Sequence, residues 1–242
     1  PMPLLGPPAM LLPFDVVPEA IPEHDDWHTH EHLPERLAIP GFLRGTRWVV
    51  RRGQPRYLVL YEVERLATLT SDAYLARLNA PSPWTSRMMP HYRGMSRGFC
   101  SVTASFGLGM GPVALLIRCE PDAEAADPLR RWLVDGTLPR HVSSRGIGSA
   151  HLLEGVVAPA MTNEQRMRGT DAGIDWAVLI TGYSEQALTH LADADLNHAH
   201  LTRRGATNVT SAVYAMDYSL TCTEMTDEGR GDARLQHSHD AR

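Results

Sequence analysis

Three histidines, His28, His30 and His32, alternate along one short segment of the chain. Because the pKa of imidazole lies near neutrality, such a group can take up and release a proton at physiological pH. Helical periodicity places His30 on one face with Leu33 and Leu37, which predicts that it points towards a sheet and a cleft. The cluster indicates proton transfer with His30 or His32 as the shuttle. A buried structural histidine is the alternative for His30.

A second spacing in the same segment is the i, i+4, i+8 row of His24, His28 and His32. Imidazoles in such a row can bind a divalent metal. No carboxylate follows at a fixed spacing that would complete the ligand set. We therefore predict no resident metal and no other cofactor, and keep haem or a divalent metal as the alternative.

Aromatic and cationic side chains follow in two strand-like segments. Alternate positions of the first are Phe42, Arg44, Thr46 and Trp48. With the period of two of a strand they share a face, and a cation between two aromatic rings suits an anionic aromatic or enolate ligand. Arg47 offers a second cation.

Tyr57 and Tyr61 share one face of the second strand-like segment, and Arg56 and Glu62 share the other. If the tyrosines face helices, Tyr61 can donate a hydrogen bond to a substrate carbonyl or phenolate. If they face the opposite sheet, they only fill the interior. The sequence leaves both arrangements open.

Large apolar side chains near these groups are candidate walls of a binding pocket. The predicted substrate-binding residues are Trp27, Phe42, Trp48, Tyr57 and Trp84. Met88, Met89 and Tyr92 could join Trp84 in an adaptable wall, since methionine fits irregular shapes. Ordinary core packing explains the same residues equally well.

The elements that must position these groups occur in the order β-α-β-β-α-β, twice. In the first copy the periodicities predict segments 9–17, 18–37, 42–51, 56–64, 71–78 and 98–105, with 81–92 helical or irregular. In the second copy they predict 113–119, 127–142, 148–157, 175–181, 184–194 and 209–220. A long, polar, mobile loop is expected between 157 and 175.

A shift of 105 positions superposes the two copies. It maps Trp27, Leu33, Pro34 and Gly41 onto Trp132, Leu138, Pro139 and Gly146. The candidate chemical residues are not shared: His28, His30 and His32 become Leu133, Asp135 and Thr137, and Arg44, Arg47 and Trp48 become Ser149, Leu152 and Leu153. We therefore predict the working pocket in the first copy. Neutral drift of surface positions is the alternative.

Each copy alone would expose one apolar sheet face, so the two are expected to pair. The predicted fold is α+β, with two tandem ferredoxin-like units closing into one α/β barrel within the chain. Residues 1–108 form the first unit, the proposed active half, and residues 109–225 form a second, mainly structural unit. Residues 226–242 are charged and are predicted to be a disordered tail.

Composition excludes several functional classes. The net charge is −5 without a basic stripe, which argues against a nucleic-acid partner. The apolar runs are strand-sized, the first residues lack the features of a secretory signal, and the three cysteines form no CxxC pair, so a reduced, cytoplasmic protein is expected. Neither a phosphate-binding loop with its lysine nor a Gly-x-Ser-x-Gly elbow occurs.

The stretch DWHTHEHLPERL from Asp26 to Leu37, followed by IPGFLR from Ile39 to Arg44, resembles the first helix and second strand of EthD-like dimeric α/β-barrel proteins. In that superfamily a helix ending in His-Leu-Pro runs into a Pro-Gly-Phe strand start. The resemblance implies a cleft between helices and sheet that binds an apolar or aromatic small molecule. Members include cofactor-free isomerases and monooxygenases, haem-dependent enzymes and proteins without known activity, so the fold does not select the chemistry.

The favoured hypothesis is a cofactor-independent isomerase or lyase that acts by histidine-mediated proton transfer on an apolar or aromatic small molecule. His28, His30 or His32 would move the proton, and Tyr61 with Arg44 or Arg47 would stabilise the oxyanion. The alternatives are a haem- or metal-dependent enzyme and a non-catalytic small-molecule binding protein. No membrane partner is expected, and assembly into a homo-oligomer stays open.

Overall fold

The computed structural model describes residues 3–156, 162–168 and 171–225. Within these ranges the strands are β1 (Pro8–Val16), β2 (Phe42–Arg52), β3 (Tyr57–Val63), β4 (Tyr92–Arg93), β5 (Gly98–Gly107), β6 (Val113–Pro121), β7 (Ile147–Val156), β8 (Trp176–Gly182) and β9 (Ala206–Thr221). Eight of them coincide with the predicted strands to within about three residues at each end, whereas β4 was not predicted.

The described helices surround these strands. They are α1 (Ile21–Trp27), α2 (Leu33–Leu37), α3 (Asp72–Asn79), α4 (Pro83–Met88), α5 (Ala126–Arg131), α6 (Leu138–His141), α7 (Asn163–Arg168), α8 (Glu185–Asp193) and α9 (His198–Thr202). Short 3-10 turns cover Pro18–Ala20, Leu66–Thr70, Met89–His91 and Cys222–Met225. None of these helices combines the length and the apolar character needed to cross a membrane.

The strands form a closed antiparallel barrel. Hydrogen-bonded neighbours follow the order β3-β2-β9-β6-β8-β7-β5-β1, and β1 pairs back onto β3. The two-residue strand β4 pairs only with the end of β1. Closure leaves no long unpaired edge among these eight strands.

Two ferredoxin-like units supply four strands each. In the first unit β1 lies between β3 and β5, with β2 outside β3, and in the second β6 lies between β8 and β9, with β7 outside β8. The units join where the last strand of each pairs with the second strand of the other, at β2–β9 and β5–β7. The predicted tandem barrel is confirmed.

A π-helical turn interrupts the first helix of both units. Residues His28–His32 separate α1 from α2, and the Leu33 N–H donates to the His28 carbonyl, five residues earlier. Trp132–Thr137 repeats this turn between α5 and α6. A proline follows each turn, and its missing N–H and its ring both disfavour the normal α-helical bond to the carbonyl four residues earlier.

The barrel walls separate an interior core from two helix-side cores. Along β3, Tyr57, Val59 and Tyr61 pack against the helices of the first unit, whereas Leu58 and Leu60 point into the barrel. The open question about the tyrosines is thus answered, because both lie on the helix side. A separate apolar core fills the helix side of the second unit.

The segment predicted as a long loop between 157 and 175 contains helix α7, and that prediction was wrong. The segment is polar, but Glu164 and Gln165 of α7 are buried against the first unit. Polar composition indicated solvent exposure, whereas ion pairs with distant residues bury this helix. The predicted disordered tail at 226–242 lies outside the described residues.

Candidate functional site

The π-helical turn determines which histidines face inward. His24, His28 and His32 are buried, whereas His30 is exposed to solvent. The expectation that His30 points towards the sheet was wrong. That expectation assumed α-helical periodicity up to Leu33, in which Thr29, four residues earlier, would lie in line with Leu33. The wider π-helical turn instead places His28, five residues earlier, in line with Leu33.

The inward histidines form a continuous row. The ring centroids of His24 and His28 lie 5.4 Å apart, as do those of His28 and His32. The nitrogens of His24 lie 3.1 Å from Asp25 Oδ1 and 3.2 Å from the Tyr92 hydroxyl. In contrast, Nδ1 of both His28 and His32 is buried without a hydrogen-bond partner among the residues that the structure describes. No group of ligands suited to a metal ion occurs among the described residues.

A small cavity lies between this row, the sheet and helix α7. Its volume is about 30 Å³, enough for one or two water molecules. Apolar side chains from the sheet and the helices form most of its wall. The polar lining residues are His28, His32, Arg36, Tyr61, Tyr74, Tyr92, Arg97, Glu164 and Arg168.

Burial keeps the histidines of the cavity uncharged. Desolvation lowers the pKa of His28 and of His32 well below 6.5, and the nearby positive charge of Arg36 acts in the same direction. His24 shows a smaller lowering of its pKa by burial, which its contact with Asp25 opposes. At neutral pH each imidazole of the cavity therefore has one nitrogen able to accept a proton.

Arg36 follows His32 by one more helical turn, so a cation continues the row of imidazoles. It is 2% exposed and its Nη2 donates to both carboxylate oxygens of Glu164, at 2.7 and 2.8 Å. Its Nη1 is buried without a partner. Burial opposes the charge of Arg36, but Glu164, Tyr74 and Tyr61 together raise the pKa of the guanidinium.

Two further arginines of the cavity lining, Arg97 and Arg168, share the buried carboxylate of Asp171, which is not itself a lining residue. Arg168 binds Asp171 at 3.0 and 2.6 Å, and Arg97 lies 3.5 Å from the same carboxylate. All three side chains are 7% exposed or less. Together with Arg36 and Glu164, three cations thus face two anions around one small volume.

The two tyrosines of β3 differ in their hydrogen bonding. The Tyr57 hydroxyl donates to Asp25 Oδ1 at 2.7 Å, away from the cavity. The Tyr61 hydroxyl lines the cavity and is buried without a partner. Desolvation raises the pKa of Tyr61, so its hydroxyl stays protonated and able to donate.

A β-bulge separates the residues that were predicted to share a face of β2. Phe42 pairs with Val63 and Arg44 pairs with Glu62, so the register shifts by one residue between them. Phe42 therefore packs on the helix side, whereas Arg44 forms an ion pair with buried Glu62 and Trp48 lies in the barrel interior. The predicted aromatic pair around a cation was wrong, because the extra residue reverses the alternation.

Most of the remaining predicted residues lie outside the cavity wall. Arg47 is buried, but it binds Asp217 at 2.8 Å and the Thr29 hydroxyl at 3.1 Å. Trp27 is fully buried and donates to Glu31. Trp84 is half-buried and donates to exposed Glu23. Of the methionine wall, Met89 with Tyr92 lines the cavity, and Met88 is core.

Sequence reasoning missed the charged residues of the cavity. Arg36 was not among the predicted site residues, although it continues the spacing of His24, His28 and His32 by one more turn. That spacing was the available signal. Glu164 and Arg168 gave no local signal, because they reach the site only through the docking of α7.

Solved structures share this architecture. The chain is similar to an anthrone oxidase-like protein, with a TM-score of 0.66, 14% identity and coverage of 90% of this chain and 94% of that one. It is similar to a protein assigned as a monooxygenase from Fusobacterium nucleatum, with a TM-score of 0.57, 9% identity and coverage of 90% and 96%. A mutant chlorite dismutase from Candidatus Nitrospira defluvii gives a TM-score of 0.52, 11% identity and coverage of 91% and 94%.

These similarities establish the fold, the ferredoxin-like dimeric α/β barrel, here completed within one chain. Identities of 14% or less carry no assignment of activity. No protein-family model matches the chain, and no curated protein matches it. The EthD-like resemblance of the first helix therefore stays a prediction.

Proposed function

We propose that the chain is a cofactor-independent enzyme that transfers a proton within an apolar or aromatic small molecule, as an isomerase or lyase. The observation that carries this proposal is the convergence of uncharged His28 and His32, the unpartnered Tyr61 hydroxyl and Arg36 on one cavity. Buried polar groups without partners are costly in a folded protein, so their concentration at one place favours a binding or catalytic role.

The chemical step would begin at a carbon acid next to a carbonyl group. His28 or His32, uncharged at neutral pH, takes the proton from carbon, and the electron pair moves onto the carbonyl oxygen. The Tyr61 hydroxyl donates to that oxygen, and the charge of Arg36 stabilises the enolate. The imidazolium then returns the proton to another carbon of the substrate, or to a leaving group.

This assignment replaces the cations expected from the sequence. Arg44 and Arg47 are held by Glu62 and Asp217 outside the cavity, so Arg36 takes the stabilising role. His30 is left out because it is exposed. The three cysteines of the chain are free thiols, which suits a reducing compartment such as the cytoplasm.

A haem does not fit the cavity in this arrangement. The space beside the only row of inward histidines in the described part of the chain is about 30 Å³, far smaller than a porphyrin, and the Arg36–Glu164 pair borders it. We derive no step through haem. An absorbance spectrum of the protein with added haemin tests this conclusion directly, because bound haem would change the Soret band.

The proposal is tested by deuterium exchange. Phenylpyruvate and phenylacetone are aromatic ketones with acidic benzylic hydrogens, and proton NMR in deuterium oxide measures their exchange. We expect the protein to accelerate exchange of at least one of them. His28→Gln and His32→Gln should lower the acceleration, at least one of them by about 100-fold, the upper range for general-base catalysis being near 10⁴.

His30→Gln is the matched control on the same turn and should leave the exchange rate unchanged. Absence of acceleration with both ketones, or full activity in both cavity variants, would overturn the proposal. Product analysis in air against an anaerobic sample separates simple proton transfer from capture of the same enolate by dioxygen, the reaction type suggested by the names of the similar structures.

A further inference from the structure

The ion pairs of the cavity differ in how completely they are satisfied. Asp171 receives two hydrogen bonds from Arg168 and lies 3.5 Å from Arg97. Glu164 receives its two bonds from one nitrogen of Arg36. The Arg168–Asp171 pair is therefore bidentate through Nε and Nη2, whereas the Arg36–Glu164 pair uses Nη2 alone and leaves Nη1 without a partner among the described residues.

The free donors of Arg36 belong to a deeply buried side chain. Nη1 has no hydrogen-bond partner within the described part of the chain, and Arg36 is 2% exposed. A guanidinium can bind a carboxylate through two parallel N–H groups, which is its strongest arrangement. Glu164 does not adopt this arrangement, so another carboxylate could bind Arg36 better than Glu164 does.

Charge balance restricts which ligand can take that place. Three arginines already face two acids around the cavity. A neutral molecule that displaced Glu164 would leave Arg36 buried without a counter-ion, which is strongly unfavourable. A ligand with its own carboxylate would leave the net buried charge unchanged, and the displaced Glu164 carboxylate would become hydrated.

Helix α7 is the element that such an exchange would release. It has six residues, and Glu164 ties it to Arg36 across 128 positions of sequence. With Glu164 in place the cavity holds only about 30 Å³, too little for an aromatic ring. Removal of the Glu164 side chain would add space next to Phe14, Leu78 and Met89, which line the same cavity.

We propose that the substrate carries a carboxylate on an apolar or aromatic body, and that this carboxylate binds Arg36 in place of Glu164. That the bound molecule is a substrate rests on the proposed function. The binding itself stands on the geometry of Arg36, Glu164 and α7. Glu164 acts in this scheme as an internal competitor that occupies the anion site until the ligand arrives.

The test compares benzoate with benzamide, which has nearly the same shape and no charge. Isothermal titration calorimetry on the full chain measures both. We expect benzoate to bind the wild-type protein at least 10-fold more tightly than benzamide. Glu164→Gln should tighten benzoate binding by a further factor of about 10 and change benzamide affinity less than twofold, because only the anion competes with Glu164.

Two controls keep the result interpretable. Glu35→Gln removes an acid from α2 that lies outside the cavity lining and should leave both affinities unchanged. The double variant Arg36→Gln with Glu164→Gln removes both buried charges together, so it avoids an isolated ion, and it should bind benzoate no better than benzamide. Circular dichroism confirms that each variant is folded.

Equal affinity for benzoate and benzamide in the wild type and in Glu164→Gln would overturn the inference. So would benzoate binding that survives in the double variant. The outcome is separable from the proposed function, because His28→Gln and His32→Gln should retain benzoate affinity. Lost proton exchange with intact benzoate binding would contradict only the proposed chemistry.

Discussion

The helix sides of the two units share one backbone arrangement and differ in the side chains that fill it. Both have a π-helical turn followed by proline, and Gly41 and Gly146 enter the next strand with φ of 91° and 93°. Strand pairing sets Met10 opposite Tyr61 in the first unit and Leu115 opposite Ile180 in the second. In the second unit Leu129, Leu133, Thr137 and Ile180 occupy the places of His24, His28, His32 and Tyr61.

The second unit shows what this scaffold requires for packing alone. Its helix-side core consists of apolar side chains, with Leu129, Leu133 and Ile180 fully or almost fully buried. The fold therefore does not need imidazoles at the places of His24, His28 and His32, and the place of Arg36 is taken by His141, which lies 3.0 Å from Asp195. The presence of those imidazoles in the first unit costs desolvation energy that packing does not explain.

The cavity of the first unit also includes side chains from the second unit. Glu164 and Arg168 belong to the second unit by sequence, yet they line the cavity of the first. We propose that the first unit carries the chemistry and that the second unit contributes α7 as its cover. The boundary near residue 108 is then a boundary of the fold and not of the site.

The largest change in stability is expected when the buried Arg36–Glu164 ion pair is broken. Arg36→Leu leaves the Glu164 carboxylate buried without a partner, so we expect the free energy of unfolding to fall by about 3–5 kcal/mol in chemical denaturation. Arg130→Leu breaks a bidentate pair with Glu154 in the second unit, where both side chains are partly exposed, and should cost about 1 kcal/mol or less. Similar losses in both variants would show that the Arg36 pair is effectively solvated.

A smaller effect concerns the pH dependence of stability. The pKa of His28 is lowered in the folded protein and near 6.5 in the unfolded chain, so below pH 6.5 the unfolded state binds more protons. Stability should therefore fall as the pH decreases from 6.5 towards the folded pKa. His28→Leu, which copies Leu133, should reduce this slope by up to about 1.4 kcal/mol per pH unit.

Denaturation at several pH values between 5 and 8 measures that slope. His30→Gln is the control, because His30 is exposed on the same turn. If His28→Leu and the wild type lost stability in parallel on acidification, His28 would not be held uncharged by burial, and the contrast between the units would weaken.

The smallest effect separates the two tyrosines of β3. The Tyr61 hydroxyl has no partner in the protein, so Tyr61→Phe should change the free energy of unfolding by about 0.5 kcal/mol or less. Tyr57→Phe removes the donor to Asp25 and should cost about 1–2 kcal/mol. Thermal unfolding of both variants checks the order, and a greater loss in Tyr61→Phe would assign its hydroxyl a structural role.

The tandem order of elements, most strand bounds and the row His24, His28 and His32 can be read from the amino-acid sequence alone. These features depend on local periodicity, on proline and glycine positions and on a repeat of 105 residues, all of which are written along the chain. The same periodicity failed for His30 and for Phe42 with Arg44. A π-helical turn and a β-bulge each change the phase by about one residue, and composition does not reveal either.

The origin of the charged groups of the cavity becomes visible only in the folded chain. Arg36 meets Glu164 across 128 positions of sequence, and Arg97 meets Asp171 across the boundary of the two units. Such pairs form because barrel closure and the docking of α7 bring distant segments together and exclude water from them. The local sequence does not predict that proximity. Close approach away from water is what makes these charges interact with specific partners, since they would otherwise be solvated surface groups.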